Sequence, residues 1–319
     1  MRNEGDVSCK VEFIPPKAGS TLGIFPFEDG VVVDIKDLKT NDEITWCPGC
    51  GDFGILNAMK KAFVKLNRPP KDILLVSGIG QAAKLPHYIK AHCFNGLHGR
   101  ALPVASAAKM ANHNLTVVVT TGDGDCYGEG GNHFIHTVRR NVDITVVVCN
   151  NQIYGLTKGQ ASPTTDEGFV TKFQPSGVIL EPFYPLEVAI VLGAGFVARG
   201  YSADSEHLSS LIVEGITHKG FALIDVLQPC VTFNKKNTYE WYSKRIYKVN
   251  EDPTYNPGDK TAALQKAAEW GQRIPIGIIY KESGERKSYE EKSGITQRPA
   301  LVQEQIEDID ISKALKDFA

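Results

Sequence analysis

The chain has 319 residues and a mass of 34.9 kDa, enough for one large domain or two modest ones. Hydrophobic residues make up 42% and charged residues 23%, a balance that excludes intrinsic disorder. With 35 Lys+Arg against 37 Asp+Glu the net charge is −2, which argues against a nucleic-acid or anionic-membrane surface, and no run reaches the ~18 apolar residues of a membrane helix.

Residues 1–45 read as an arm punctuated by Pro15-Pro16, Gly19-Ser20 and Glu28-Asp29-Gly30, with one short extended piece at 31–33. Met1–Asp6 carries no apolar core, so no secretory signal is expected. Seven cysteines, an odd and small number, place the chain in a reducing cytoplasm, where Cys-x-x-Cys binds metal or carries redox chemistry.

From Trp46 to Cys230 the chain reads as an α/β domain. Ile55, Leu56, Met59, Ala62, Phe63 and Leu66 mark an amphipathic helix over 51–67. Four short apolar runs follow, at 73–76, 115–121, 144–149 and 222–227, with a further strand at 196–199. They lack period-2 alternation, so each is expected to be covered on both faces. Helical stretches lie between them at 103–111, 129–140, 186–192 and 206–218. Strand alternating with helix predicts an open parallel sheet with helices on both faces and right-handed crossovers. Residues 231–319 differ in character and read as a C-terminal extension that either wraps a partner or is solvated.

Polar and glycine-rich residues follow four strands: Ser77-Gly78-Ile79-Gly80-Gln81, Gly122-Asp123-Gly124-Asp125, Asn150-Asn151-Gln152 and Gln228-Pro229-Cys230. Open α/β sheets bind ligands at that edge. Glycines admit close backbone approach, and the aspartate of such a loop suits a hard cation such as Mg²⁺. Asn151 follows the next strand, where a crossover would bring it beside Asp123. A carboxylate, an amide oxygen, a backbone carbonyl, two phosphate oxygens and a water would make an octahedral Mg²⁺ site. Taken alone, Gly-Asp-Gly is equally a turn.

This spacing resembles the diphosphate-binding motif of thiamine diphosphate (ThDP) enzymes. By that resemblance Asp123, Asn151 and the carbonyl of Ile153 hold the cofactor's Mg²⁺, within a loop comprising Gly122, Gly124 and Asp125. Trp46-Cys47-Pro48-Gly49-Cys50-Gly51-Asp52, Gly96-Leu97-His98-Gly99-Arg100 and 153–160 (Ile-Tyr-Gly-Leu-Thr-Lys-Gly-Gln) narrow it. Over roughly residues 44–232 the chain resembles the β subunit of 2-oxoacid:ferredoxin oxidoreductases, of the 2-oxoglutarate or broad-specificity kind. The resemblance implies CoA-dependent oxidative decarboxylation of a 2-oxoacid, with electrons passed to ferredoxin. It also implies a partner α subunit that supplies the pyrimidine-binding domain and the activating glutamate.

The same resemblance implies a 4Fe-4S cluster on four cysteines. Cys47, Cys50 and Cys230 match, and soft thiolates suit iron. The third position, after Gly80, is Gln81. Three outcomes stay open: a cluster on three cysteines with a weak fourth donor, an absent or labile cluster, or another cysteine moving in, with Cys93 nearest in sequence. Cys126 and Cys149 read as packing residues, and Cys9 has no visible role. The pair Cys47 and Cys50 could also be a redox pair or half a zinc site. Gly80 and His98 are further candidates for cofactor binding, and Lys84 and Lys158 for a substrate carboxylate, with a solvated lysine the alternative. His133 and His136 read as packing or surface residues. The rival functions are a non-redox ThDP-dependent decarboxylase subunit without a cluster, and a metal- or cluster-binding interaction protein.

Overall fold

The structure, a computed structural model, describes residues 32–284, 286–303 and 316. The arm through Val31, Cys9 included, lies outside the described residues. The chain divides into Met1–Val31 and Val32–Ala319, and the second unit carries all that follows.

In chain order the unit runs α1 (Asp52–Lys65), β1 (Ile73–Ser77), β2 (His92–Asn95), α2 (Ala101–Ala111), β3 (Thr116–Gly122), α3 (Gly131–Arg140), β4 (Thr145–Asn150), β5 (Ile153–Tyr154) and β6 (Gln160–Ala161). It continues with α4 (Pro185–Val191), β7 (Phe196–Tyr201), α5 (Ser205–Thr217), β8 (Ala222–Leu227), α6 (Tyr239–Ser243), β9 (Ile246–Lys248), α7 (Lys260–Ala268), β10 (Ile274–Lys281) and α8 (Tyr289–Lys292). Eight strands form one sheet in the order β2-β1-β3-β4-β8-β7-β10-β9, while β5 and β6 pair separately. From β2 to β7 every neighbouring pair is parallel. β10 joins β7 antiparallel, so the sheet is mostly rather than wholly parallel, and the segment after Cys230 contributes two of its strands.

Both faces of the sheet are buried. Val118, Val147 and Ile224 pack with Ile55, Met59 and Phe63 of α1 and Leu208 and Ile212 of α5. Their strand neighbours Val119, Val146, Val148 and Leu223 pack in a second core with Leu102 of α2, Phe134 and Val138 of α3 and Ile190 of α4. This explains the mainly apolar runs: alternate side chains point to opposite cores, so both sets are largely apolar, and buried polar residues such as Asp225 of β8 and Thr120 of β3 are the exceptions. Each buried Val, Leu or Phe contributes about 1.5–3 kcal/mol.

Register brings the functional strand ends level. Gly122 pairs with Cys149, and Asn150 pairs with Leu227. Asp123, Asn151 and Gln228 therefore each lie one residue past a paired end on three adjacent strands. No helix among the described residues is long and apolar enough to cross a membrane.

Candidate functional site

A cleft with an empty volume of about 940 Å³, open mouth included, lies at these strand ends. Gly80, His98, Gly122, Asp123, Gly124, Asp125, Asn151, Ile153, Cys47, Cys50 and Cys230 all line it, as does Gln81. Residues scattered in sequence from Cys47 to Cys230 thus meet in one place because the parallel strands all deliver their C-terminal ends to one edge. Lys84 and Lys158 are not part of the lining, though each adjoins it. Lys84 Nζ donates to Oγ1 of the lining residue Thr45 at 3.2 Å. Lys158 follows the lining residue Thr157, is exposed, and has a left-handed backbone with φ 76°.

Asp123 is 1% exposed. Ser162 Oγ and Thr164 Oγ1 donate to its Oδ2 at 2.5 and 2.7 Å. Burial pushes its carboxyl up to about 6, against the opposing pull of the two hydroxyls. Asn151 opens a tight turn in which its Oδ1 accepts from the Ile153 backbone at 3.0 Å. The turn needs Gln152 at φ 58°, a region that costs a non-glycine residue about 1 kcal/mol or more. It is held there by Gln152 Nε2 donating to the Thr164 carbonyl and by Thr165 Oγ1 donating to the Gln152 carbonyl, both at 2.7 Å.

Asp125 has a different part. Its Oδ1 accepts from the Gly99 and Ile79 backbones at 2.7 and 3.1 Å and lies 2.5 Å from His98 Nδ1. Its Oδ2 accepts from Thr121 Oγ1 at 2.6 Å. The carboxylate is filled by protein donors and fastens the loop after β1, the His98 loop and the end of β3 to one another. Gly78 lets this happen, since a Cβ there would sit 2.1 Å from Asp125 Oδ2. His98 turns its other nitrogen toward Glu129, with Nε2 3.4 Å from Oε2. Tyr154, whose hydroxyl donates to the same Oε2 at 3.1 Å, meets the His98 ring edge-on.

The Cys-Pro-Gly-Cys turn is tied to the segment after β8. Cys50 N donates to the Cys47 carbonyl at 3.0 Å, and Gly51 N to the Pro229 carbonyl at 3.3 Å. Thr232 Oγ1 donates to Cys47 Sγ and Gln228 Nε2 to Cys50 Sγ, both at 3.2 Å. Burial pushes the Cys50 thiol far above its ordinary value, and nearby Asp52 raises it further. Among the described residues no three His, Cys, Asp or Glu side chains stand as a group that could hold a single metal ion.

Sequence reasoning named Asp52 and Gln228 within their segments without giving either a role, and passed over Ser162, Thr164 and Thr232. Asp52 is 1% exposed, and burial pushes its carboxyl up to about 6. Its Oδ2 accepts from the Cys50 thiol at 3.5 Å, while Oδ1 has no hydrogen-bond partner. An acid directly after Cys-Pro-Gly-Cys-Gly, on an apolar helix face, was the available signal. The hydroxyls of Ser162-Pro163-Thr164-Thr165 carry none, because they depend on a loop folding back.

A parallel-sheet edge with a glycine-flanked buried aspartate and an amide turn beside it defines a diphosphate-binding domain of the ThDP type. Accordingly, residues 77–226 match the family "Thiamine pyrophosphate enzyme, C-terminal TPP binding domain". Residues 230–297 match the family formed by the C-terminal part of the pyruvate ferredoxin oxidoreductase beta subunit. The chain is 51% identical over 247 residues to the 2-oxoacid:ferredoxin oxidoreductase subunit beta of Saccharolobus solfataricus, covering 74% of this chain and 81% of the relative. It is 47% identical over 255 residues to the 2-oxoacid:ferredoxin oxidoreductase 1 subunit beta of Aeropyrum pernix, covering 77% and 80%. Among solved structures it resembles a 2-oxoglutarate:ferredoxin oxidoreductase from Magnetococcus marinus with 2-oxoglutarate, coenzyme A and succinyl-CoA bound. That match has a TM-score of 0.81 and 33% identity, and covers 90% of this chain and 96% of the other. The chain belongs to the family of 2-oxoacid:ferredoxin oxidoreductase β subunits.

Proposed function

We propose that this chain is the diphosphate-binding subunit of an enzyme that oxidatively decarboxylates a 2-oxoacid, 2-oxoglutarate foremost, to its CoA thioester and reduces ferredoxin. An α subunit with the pyrimidine-binding domain completes the site, in the cytoplasm. The observation that supports the reading is the lining of one cleft by both a hard-oxygen set, Asp123, Asn151 and Ile153, and three thiols. When bound, ThDP supplies the carbon nucleophile and electron sink for decarboxylation, and an iron–sulfur cluster supplies one-electron transfer.

The residues around Asp123 suit ThDP and Mg²⁺. Ser162 and Thr164 occupy one oxygen of Asp123, and the other is the candidate Mg²⁺ ligand with the Asn151 amide and the Ile153 carbonyl. A Cβ added at Gly122 or Gly80 would meet no heavy atom within 4 Å, so the glycines keep open space where a diphosphate would lie. His98, oriented by Asp125 through Nδ1, is a candidate donor to that diphosphate only through Nε2, which here faces Glu129 at 3.4 Å. Thr232 and Gln228 already place donors on the sulfurs of Cys47 and Cys50, the kind of bond that tunes cluster potential. Lys84 and Lys158 are the candidates to pair with the distal carboxylate of a dicarboxylic substrate. Gln81 favours one alternative, a non-redox decarboxylase subunit without a cluster.

Anaerobic co-purification with the α partner tests both readings. The expected result is bound ThDP, bound iron, and ferredoxin reduction that needs 2-oxoglutarate and coenzyme A. Bound ThDP with no iron and CO₂ release without electron transfer would establish the alternative. ThDP retained normally by Asp123→Ala would overturn the cofactor assignment.

A further inference from the structure

The geometry points to a second ligand site, for a phosphate-type oxyanion, held by Arg68, Lys109 and His113 at the sheet edge opposite the cleft. With Thr116 and Thr145, these side chains line a polar cavity of about 520 Å³, open mouth included. The two threonines are the first residues of β3 and β4, whereas the cleft lies past the last ones. A strand of seven residues spans about 20 Å, so the cavity and the cleft are separate places.

Unused donors mark this cavity. Arg68 Nε and His113 Nδ1 are both shut off from solvent without a hydrogen-bond partner, and among the described residues neither side chain is paired elsewhere. The Arg68 guanidinium is always charged. Lys109 is 7% exposed, and its Nζ gives one proton to Asp143 Oδ2 and one to the Leu115 carbonyl, both at 2.9 Å. An ammonium has three protons, so one is left. Asp143 is committed in turn, since its Oδ1 accepts from Gly220 N at 3.1 Å. One carboxylate thus answers two cations, and the charge of Arg68 has no counterpart in the lining.

The local fold explains the convergence. Asn67, at φ 49°, closes α1 in a left-handed turn in which Arg68 N donates to the Phe63 carbonyl at 2.9 Å. Arg68 therefore reaches the sheet edge from the face that α1 covers, while Lys109 and His113 come from α2 and the segment after it, on the other face. Donors arriving from separate elements suit an anion with acceptor oxygens on all sides, a phosphate rather than a carboxylate. Such an anion links helices on opposite faces of the sheet. Two effects oppose it: the Asp143 carboxylate, and the negative dipole ends of α1 and α2 at this edge. The expected affinity is therefore millimolar.

The test uses the full chain as wild type, Arg68→Gln, Arg68→Lys and His113→Leu. Each is melted in inorganic phosphate, in glycerol 2-phosphate and in chloride of matched ionic strength. Phosphate stabilises any folded chain by exclusion from its surface, so the difference between variants is the readout. Wild type should melt about 2–4 °C higher in phosphate than in chloride. Arg68→Gln and His113→Leu should lose most of that increment, and Arg68→Lys should keep part of it. Calorimetric titration should show phosphate binding about tenfold weaker in Arg68→Gln than in wild type. Should Arg68→Gln not fold, His113→Leu and Arg68→Lys carry the same comparison. An equal response to glycerol 2-phosphate assigns the site to a phosphomonoester, and a response to inorganic phosphate alone assigns it to the free anion. No increment in wild type overturns the site. An increment of the same size in every variant also overturns it, because the phosphate then acts by exclusion or at another place, the cleft included.

Discussion

Thr164 bridges Asp123 to Asn150: its Oγ1 lies 2.7 Å from Asp123 Oδ2 and 2.9 Å from Asn150 Oδ1. Both neighbours are acceptors, and a hydroxyl has one proton to give. The Asn150 amide nitrogen is committed to Asp225, 3.1 and 3.2 Å from its two oxygens, so Asn150 cannot turn its donor to Thr164. While Asp123 is neutral, its own proton can go to Thr164, which then serves Asn150. Once Asp123 ionises, Thr164 serves the carboxylate and Asn150 Oδ1 loses its donor. The cost of ionisation is thus shared with a polar chain that continues through Asp225 to the Tyr127 hydroxyl, 2.8 Å away.

Thr164→Val keeps the shape and removes the bridge. Urea unfolding should show a loss of about 1–3 kcal/mol, the usual cost of stranding a buried polar group. Titration with ThDP in Mg²⁺ should show about tenfold weaker binding, equivalent to ~1.4 kcal/mol. A variant equal to wild type in both measurements would mean that the bridge does not hold Asp123.

Asp123 also sets a pH dependence. Its carboxyl, ordinarily near 3.8, is raised to about 6 by burial. A carboxyl raised on folding binds its proton more tightly in the native chain. The stability it contributes is fully present below pH 3.8 and is lost as pH rises through about 6. Mg²⁺ needs the carboxylate, so stabilisation by Mg²⁺ with ThDP should be small near pH 5 and grow above about 6. The melting-temperature increment between free and cofactor-loaded protein measures it. Asp52 loses its stabilising effect over the same window, so Asp123→Asn is the control that isolates the contribution of Asp123. An increment independent of pH in wild type would refute the metal role.

The two aspartates of the loop should separate on mutation. Asp125 accepts from Gly99, Ile79 and Thr121, so Asp125→Asn turns an amide nitrogen toward donors and should cost about 2–4 kcal/mol without any ligand present. Asp123→Asn replaces a carboxyl that burial already drives toward neutrality, and should leave the free protein as stable or more so at neutral pH while abolishing ThDP retention. Thermal melts of the two free variants decide the matter; equal losses would show that both carboxylates are merely structural.

How much of this could be read from sequence depended on whether burial was two-sided. β3 and β4 were plain because strands covered by two cores are largely apolar on both sides, as in Val117-Val118-Val119 and Val146-Val147-Val148. β2 was not, because its four residues are all exposed at the sheet edge and show no pattern. β10 hid behind Pro275 and Gly277, residues that argue against a strand interior. At the site, strand-end loops were legible because parallel topology collects them. The Asp123 contacts to Ser162 and Thr164 were not, because they span 39 and 41 residues and depend on one loop crossing back over another.

Gly124 and Tyr154 fit together only because Gly124 has no side chain. A Cβ there would lie 2.2 Å from Tyr154 Cε1 and 2.7 Å from Cδ1. The ring cannot simply swing aside, because its hydroxyl bonds to Glu129 at the far end of the same turn, Gly124–Glu129. Gly124→Ala should therefore cost about 1–3 kcal/mol by overpacking and displace the ring from the cleft wall. Tyr154→Ala removes the obstacle, so the cost of Gly124→Ala should largely vanish in the double variant. A double-mutant cycle by urea unfolding reads this directly, with a coupling of about 0.5–3 kcal/mol expected for residues in contact. If the two costs simply add, the ring does not confine Gly124, and the diphosphate loop is shaped by its backbone alone.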